Sequence, residues 1–347
     1  MKTYTEYLII GQGIAGSLLA FELDMLGKSF VIIDNGYRTS SSIVAAGTIN
    51  PITGRNYVKT WRADELWPAL TETYRNISAW TEREVIRNLP IIRSLHSIKE
   101  ENAWLGRVND PAYSAYLKEH SDPGNMLAQI EKALAYGEIS GAKQLKIKDL
   151  LPLMKAKWRA EHRFIEDNFT YEGLEQTGNQ WKYEDIITEK VIFCEGHKVM
   201  ENPFFKHLSF DPVKGEALIV EIEDPFDKSL RDKTFITPLG DGKLHWCGAG
   251  YSWQDLTDEP TENARKEIEA QLDAILRVPY KVVDHIAGIR PATKYRRPFA
   301  GAHPTLPNLF IFNGLGTKGS SLGPFFARQL VQLMENQIPM DVEVALR

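Results

Sequence analysis

The stretch "LIIGQGIAG" at residues 8–16 constrains the fold more than any other. An apolar run from Tyr7 to Ile10 leads straight into Gly11-Gln12-Gly13-Ile14-Ala15-Gly16. Ile14, Leu18, Leu19 and Leu26 then fall at helical spacing before Gly27. Phe30 to Ile33 is the next apolar run, and Asp34 closes it 18 residues beyond Gly16. Strand, tight turn, helix, strand is a βαβ unit, and each glycine has a mechanical task in it. Gly11 makes the turn, Gly13 lets the backbone approach a pyrophosphate, and Gly16 lets helix and strand close together. The helix N-terminus offers about half a positive charge to the phosphates. A carboxylate at the position of Asp34 accepts hydrogen bonds from a ribose. The unit predicts an ADP-containing dinucleotide without distinguishing NAD from FAD, because both present the same half to it.

Two further segments bear on that choice. "SSIVAAGTINP" (41–51) is a run of small residues that lets backbone lie against an extended ligand. "FNGLGTKGSSLGP" (312–324) is a second glycine-rich loop, directly before a helix whose apolar face is Leu322, Phe325, Phe326, Leu330, Leu333 and Met334. A second helix start there places positive potential at the far end of the ligand, where a reduced flavin carries negative charge.

Between these loops the character of the chain changes. Residues 64–88 carry a helical apolar stripe interrupted by Pro68 and read as a helical insertion. Residues 101–142 show no clear period and read as loops and short helices, whereas 145–158 reads as helix and 189–196 as a buried strand ending on Gly196. Apolar or alternating runs at 216–224, 233–239 and 243–251 predict an antiparallel sheet, the last two joined as a hairpin by the "GDG" turn at 240–242. A helix from Thr261 to Leu276 buries Ile268, Leu272, Ile275 and Leu276, and the strand at 308–314 returns to the first type. A parallel-type sheet visited early and late, with an antiparallel one between, predicts two interleaved domains.

Composition narrows the function classes. At 347 residues the chain is long enough for two cores. It is 43% apolar and 25% charged, with no apolar run near the roughly 18 residues of a membrane span. "MKTYTEYLII" lacks the pattern of a signal peptide, so a cytoplasmic protein is expected. Cys194 and Cys247 are too few for a disulfide framework and are expected reduced. A net charge of −5 gives no general attraction to polyanions, leaving "TKYRRP" (293–298) as a local basic stretch. No two histidines have metal-ligand spacing, so no metal is expected; His245, His285 and His303 read as packing or surface residues.

From "YLIIGQGIAGSLLAFEL" through "AAGTINP", "KGEALIV", "FITPLGDGKLHWCGAGY", "AGIRPATKYRRPFAGAHP" and "NLFIFNGLGTKGSSLGPFFARQL", the chain resembles the FAD-dependent D-amino-acid oxidase superfamily, nearest in motif to glycine oxidase and sarcosine oxidase-like enzymes. The resemblance implies an α/β and α+β protein. A Rossmann-type FAD-binding domain (1–58, 143–205 and 288–347) would interleave with a substrate domain (59–142 and 206–287) built on a mixed, largely antiparallel sheet. It implies non-covalent FAD, with Gly11, Gly13, Ile14, Ala15 and Gly16 at the pyrophosphate and Asp34 and Asn35 at the adenosine ribose. Ser41, Ser42, Ala46, Gly47 and Thr48 would line the inner part, with Gly196 on the adenine side and Gly314, Gly316, Thr317, Lys318, Gly319 and Ser320 facing the isoalloxazine. Arg290 of "GIRP" matches the arginine that grips a substrate carboxylate, and Tyr251 and Phe235 match pocket-lining positions. The implied reaction is oxidation of the C–N bond of a small amine or amino acid by hydride transfer to flavin N5, with O2 or another acceptor reoxidising the flavin. Lys318 stands where the similar FAD-dependent tRNA wobble-uridine demodifying enzymes carry arginine, so removal of a carboxymethyl group from tRNA is the alternative. Glu195 replaces the small residue usual in the family.

Overall fold

The computed structural model describes residues 3–36, 40–119, 121–240 and 242–346; Asp241 of the "GDG" turn lies outside them. The first sheet is built around Thr3–Ile10, with Phe30–Ile33 parallel on one side and Ile186–Phe193 parallel on the other. Phe164–Ile165 adds beyond Phe30–Ile33. The C-terminal half of Ile186–Phe193 takes Leu309–Asn313 in parallel, while its N-terminal half takes the antiparallel hairpin Leu174–Thr177 and Gln180–Tyr183. Strand Phe30–Ile33 reads as a continuous apolar run because it is covered on both faces: all four of its residues are buried. Register brings Ile10, Ile33 and Phe193 level at the carboxyl ends of three neighbouring strands, the edge along which open α/β sheets bind ligands.

Helix Ile14–Met25 packs on that sheet and against the C-terminal helix Gly319–Asn336, which also carries helix Ala63–Thr81. The latter helix runs through Pro68 and is followed by a separate strand, Ile86–Asn88, so the stripe read over 64–88 ends earlier than its periodicity implies.

The second sheet has the order Tyr280–Arg290, Val213–Ile222, Leu244–Gly248, Phe235–Pro238, Ser229–Arg231, Ile91–Leu95, Ala135–Ile139, Leu117–Lys118. All its pairings are antiparallel except that of Ser229–Arg231 with Ile91–Leu95. Period-two alternation gives it two faces. Leu218, Val220, Ile236 and Cys247 meet Ile268 and Leu272 of helix Glu262–Asp273, whereas Ala217, Ile219 and Trp246 form the opposite face.

The region 101–142 holds more structure than its sequence announces: helix Ile98–Val108 and the sheet strands Leu117–Lys118 and Ala135–Ile139. Ala135–Ile139 hides because its buried positions include Gly137, over which Trp104 lies, and Glu138, which is paired with Lys118 and Lys228. The strand Tyr280–Arg290 also escapes sequence reading, since its exposed half carries Lys281, Val283 and Asp284. Both cysteines are free and buried.

Candidate functional site

One cavity of about 850 Å³ runs from the carboxyl ends of the first sheet to the open face of the second. Its near end is the βαβ turn. Gly11 has φ +100°, and a Cβ there would stand 2.5 Å from the carbonyl oxygen of Cys194, so the turn admits no side chain. The amide of Ile14, at the first helical position, donates to Ser42 Oγ at 3.0 Å. Asp34 accepts from the amides of Gln12 and Gly36, each at 2.7 Å, which fixes its carboxylate at the cavity wall. Asn35 Nδ2 donates to Asn168 Oδ1 beside it.

The 41–48 segment is tied down by the second sheet and by strand Lys143–Leu145 of a separate three-stranded sheet. Trp246 Nε1 donates to the carbonyl of Val44, and Gln144 Nε2 donates to that of Ala46. Ser41, Ser42, Ala46, Gly47 and Thr48 line the cavity as a result, and Thr48 Oγ1 is buried without a hydrogen-bond partner. The second glycine-rich loop contributes Leu315, Gly316, Thr317, Gly319 and Ser320. Gly314 and Gly16 are not among the cavity-lining residues: Gly16 packs on the Gly11 carbonyl, and Gly314 on Thr293.

Lys318 is not a lining residue either. Desolvation lowers its pKa, and Arg297 and Arg296 lower it further. Gly196 lines the cavity beside Glu195, whose carboxylate accepts from Tyr171 Oη and Asn202 Nδ2, both at 2.7 Å. Burial nevertheless pushes the Glu195 carboxyl up to about 7.

At the far end Arg290 closes strand Tyr280–Arg290 and lies across its neighbour at Gly215. A Cβ on Gly215 would stand 2.0 Å from Arg290 Nη2, so this glycine is the seat of the guanidinium. Arg290 Nη1 is buried without a hydrogen-bond partner, and burial lowers the group's pKa while leaving an arginine charged. The Tyr251 ring covers it, stacked in turn on Trp253. Phe235 and Trp246 line the same end, as do Tyr57, Arg93 and Arg231. His285 belongs to the other face of its strand, with Nε2 3.1 Å from Glu216. Sequence reasoning missed Gly215, Tyr57, Arg93 and Arg231; the glycine in "KGEALIV" was the one visible signal, a strand glycine marking close approach.

These residues fit an extended dinucleotide. A side-chain-free turn, a helix N-terminus, an anchored carboxylate and the unpartnered Thr48 hydroxyl succeed one another along the wall. No helix among the described residues is long and apolar enough to cross a membrane, and no group of metal-ligating side chains is present among them.

Comparison with known proteins agrees with this geometry. The family described as "DAO: FAD dependent oxidoreductase" matches residues 6–333. Glycine oxidase of Bacillus subtilis (strain 168) is 32% identical over 163 residues, which make up 44% of this chain and 43% of that protein. Among solved structures, glycine oxidase from Geobacillus kaustophilus superposes with a TM-score of 0.80 at 19% identity, covering 99% of both chains. Iminodiacetate oxidase from Chelativorans sp. BNC1 gives 0.81 at 18% identity, covering 98% of both.

Proposed function

Because the chain belongs to the family of FAD-dependent oxidoreductases, we propose that it oxidises the C–N bond of a small carboxylated amine held by Arg290. The observation that carries this reading is the seating of Arg290. A permanently charged guanidinium is buried at the end of the cofactor cavity, over Gly215 and under Tyr251, with Nη1 unpartnered. Leaving a buried charged donor unmet costs more than a neutral one, and a carboxylate meets it through two parallel bonds.

Bound FAD supplies a two-electron acceptor. The chain's residues supply position and dryness. Arg290 fixes the carboxylate, and Phe235, Trp246 and Tyr251 line the space beside it with aromatic surface. An amine bound in its neutral form needs orientation more than a dedicated protein base, and the described lining of this end carries arginines and aromatics rather than an acid–base pair. The product of such an oxidation is an imine, which water hydrolyses to a carbonyl compound. The names of the two oxidases above, acting on glycine and on iminodiacetate, are both of carboxylated amines.

The purified protein is expected to be yellow, and its flavin to bleach anaerobically on addition of an amino acid. Arg290→Ala is expected to raise the concentration needed for half-bleaching at least tenfold. Bleaching by wobble-modified tRNA and by no free amine would replace this reading with the nucleic-acid one.

A further inference from the structure

We propose that the cavity carries a second anion subsite, formed by Arg93 and Arg231, and that the substrate is an amine bearing two carboxylates. The proposal rests on the oxidation above for the reacting bond, and on different residues for the second carboxylate.

The floor of this end is a row of side chains crossing six strands. Register pairs Arg93 with Arg231, Arg231 with Phe235, Phe235 with Gly248, Gly248 with Ala217 and Ala217 with Ile286. All six line the cavity. Paired residues on neighbouring strands point to the same face, so Arg93 and Arg231 stand side by side at one end of the row. Arg290 lies at the other, on the strand that carries Ile286. Four strand spacings of roughly 4.8 Å, about 19 Å, separate the strands of Arg231 and Arg290, and Arg290 lies four residues beyond Ile286, about 13 Å further along its strand, so the two backbones are about 23 Å apart. The long side chains narrow that interval: Arg290 sits against the Tyr251 ring, and Arg231 and Tyr251 line the same cavity.

Two like charges directly opposite each other in a sheet are destabilising. The carboxylates nearby hydrogen-bond to other groups, although Asp232 also acts on Arg231 through space. Asp232 accepts from His96 Nε2 and from the Lys233 amide, and Glu100 accepts from the His96 amide. Among the described residues no carboxylate forms an ion pair with Arg93, Arg231 or Arg290. Arg93 Nε is buried without a partner, and its guanidinium rests on the Tyr57 ring at 5.7 Å. Tyr57 also takes a side-chain hydrogen bond from Arg93, which leaves Arg93 Nε and the whole of Arg231 without such a partner among the described residues. Arg231 lines the cavity and is exposed; desolvation and the neighbouring Arg93 depress its pKa, against the opposing influence of Tyr251 and Asp232. A small ligand anion removes the repulsion and satisfies the unmet donors, while an arginine pair recognises a planar carboxylate by geometry as well as charge.

The test uses the full-length, flavin-loaded protein and unreactive ligands matched in chain length. Succinate is titrated against butyrate, and glutarate against valerate, by perturbation of the flavin spectrum and by calorimetry. Each dicarboxylate is expected to bind at least tenfold more tightly than its partner. Arg231→Gln and Arg93→Gln are expected to shrink that ratio below threefold, and Arg231→Lys to restore part of it; thermal melts confirm that each variant is folded. Equal binding of mono- and dicarboxylates by the parent, or an unchanged ratio in both glutamine variants, overturns the subsite. Anaerobic reduction by D-aspartate and D-glutamate is then compared with reduction by D-alanine and sarcosine. Tight dicarboxylate binding without flavin reduction by any amine sinks the oxidase reading and leaves the subsite standing. Reduction by amines with no preference for two carboxylates does the reverse.

Discussion

The guanidinium carbon of Arg290 lies 4.8 Å from the centroid of the Tyr251 ring. The two come from different parts of the second sheet, one from the end of strand Tyr280–Arg290 and the other from the segment after Leu244–Gly248. Tyr251 is itself 59% exposed, so it acts as a cover whose inner face touches the charge. A contact of this kind contributes about 0.5 to 2 kcal/mol, the upper value when the cation is desolvated as Arg290 is.

Tyr251→Leu is therefore expected to raise KM for a carboxylated amine roughly 3- to 30-fold, with Tyr251→Phe staying within about threefold of the parent. Steady-state kinetics on the three proteins checks this. A phenylalanine variant as weak as the leucine one would move the effect from the ring face to the hydroxyl.

Gly215→Ala tests the seat beneath the same arginine. Glycine is required here for space: the added Cβ would stand 2.0 Å from Arg290 Nη2 and 2.2 Å from Cζ. The guanidinium must shift, and displacing a positioned group by about 1 Å costs on the order of 100-fold in a well-oriented reaction. The expected outcome is a folded, yellow protein whose kcat/KM falls by about that factor. Kinetics unchanged from the parent would show that Arg290 does not need this seat.

The halves of the site differed in how much of them the sequence displayed. The dinucleotide half was legible because its constraints are local: Gly11, Ile14 and Asp34 belong to one βαβ unit, and their spacing alone implies the turn, the helix start and the anchoring carboxylate. The far half is made by register. Arg93 and Arg231 are neighbours because two short strands, 138 residues apart at Arg93 and Arg231, pair in parallel, and no short-range pattern records that. Arg290 was found through resemblance, since an arginine at a strand end has no periodic signature. Lys318, marked through resemblance as a substrate and cofactor contact, is not among the residues lining the cavity, while its loop neighbours Thr317 and Gly319 are.

Glu195 makes stability depend on pH. Burial raises its pKa from 4.5 to about 7, over the opposing hydrogen bonds from Tyr171 and Asn202. In the unfolded chain the group loses its proton near pH 4.5, whereas in the folded, flavin-free chain it holds the proton to about 7. Its contribution is therefore fully present below 4.5 and lost as pH rises to about 7, by about 3 kcal/mol at most. Glu195→Gln removes the titration and gives up the Asn202 bond at every pH. On flavin-free protein, the variant's melting temperature is thus expected to gain on the parent's between pH 5 and 8. A constant difference across that range would assign Glu195 an ordinary carboxylate pKa.

Lys214 holds the Tyr251 cover in place from the opposite face of the sheet. It is fully buried, forms an ion pair with Asp255 and lies 3.6 Å from Glu216, while its backbone exchanges two hydrogen bonds with Ser252, the residue next to Tyr251. The hydrogen bond from Lys214 is the first cause holding the Asp255 carboxyl far below its usual range. Glu216 in turn accepts from the amide and hydroxyl of Thr261, which closes the 252–261 segment onto the strand. Removing one member of a buried pair strands the other charge and costs about 3 to 5 kcal/mol. Lys214→Met is expected to lower stability by that order and to raise KM as the cover loosens. Adding Glu216→Gln removes a buried charge left with only His285 and Thr261 as partners, while keeping an acceptor for Thr261, so the double variant is expected to recover part of the lost stability. Chemical denaturation of the parent, the single and the double variant measures this, and a double variant weaker than Lys214→Met alone would show that Glu216 is held by Thr261 rather than by the lysine.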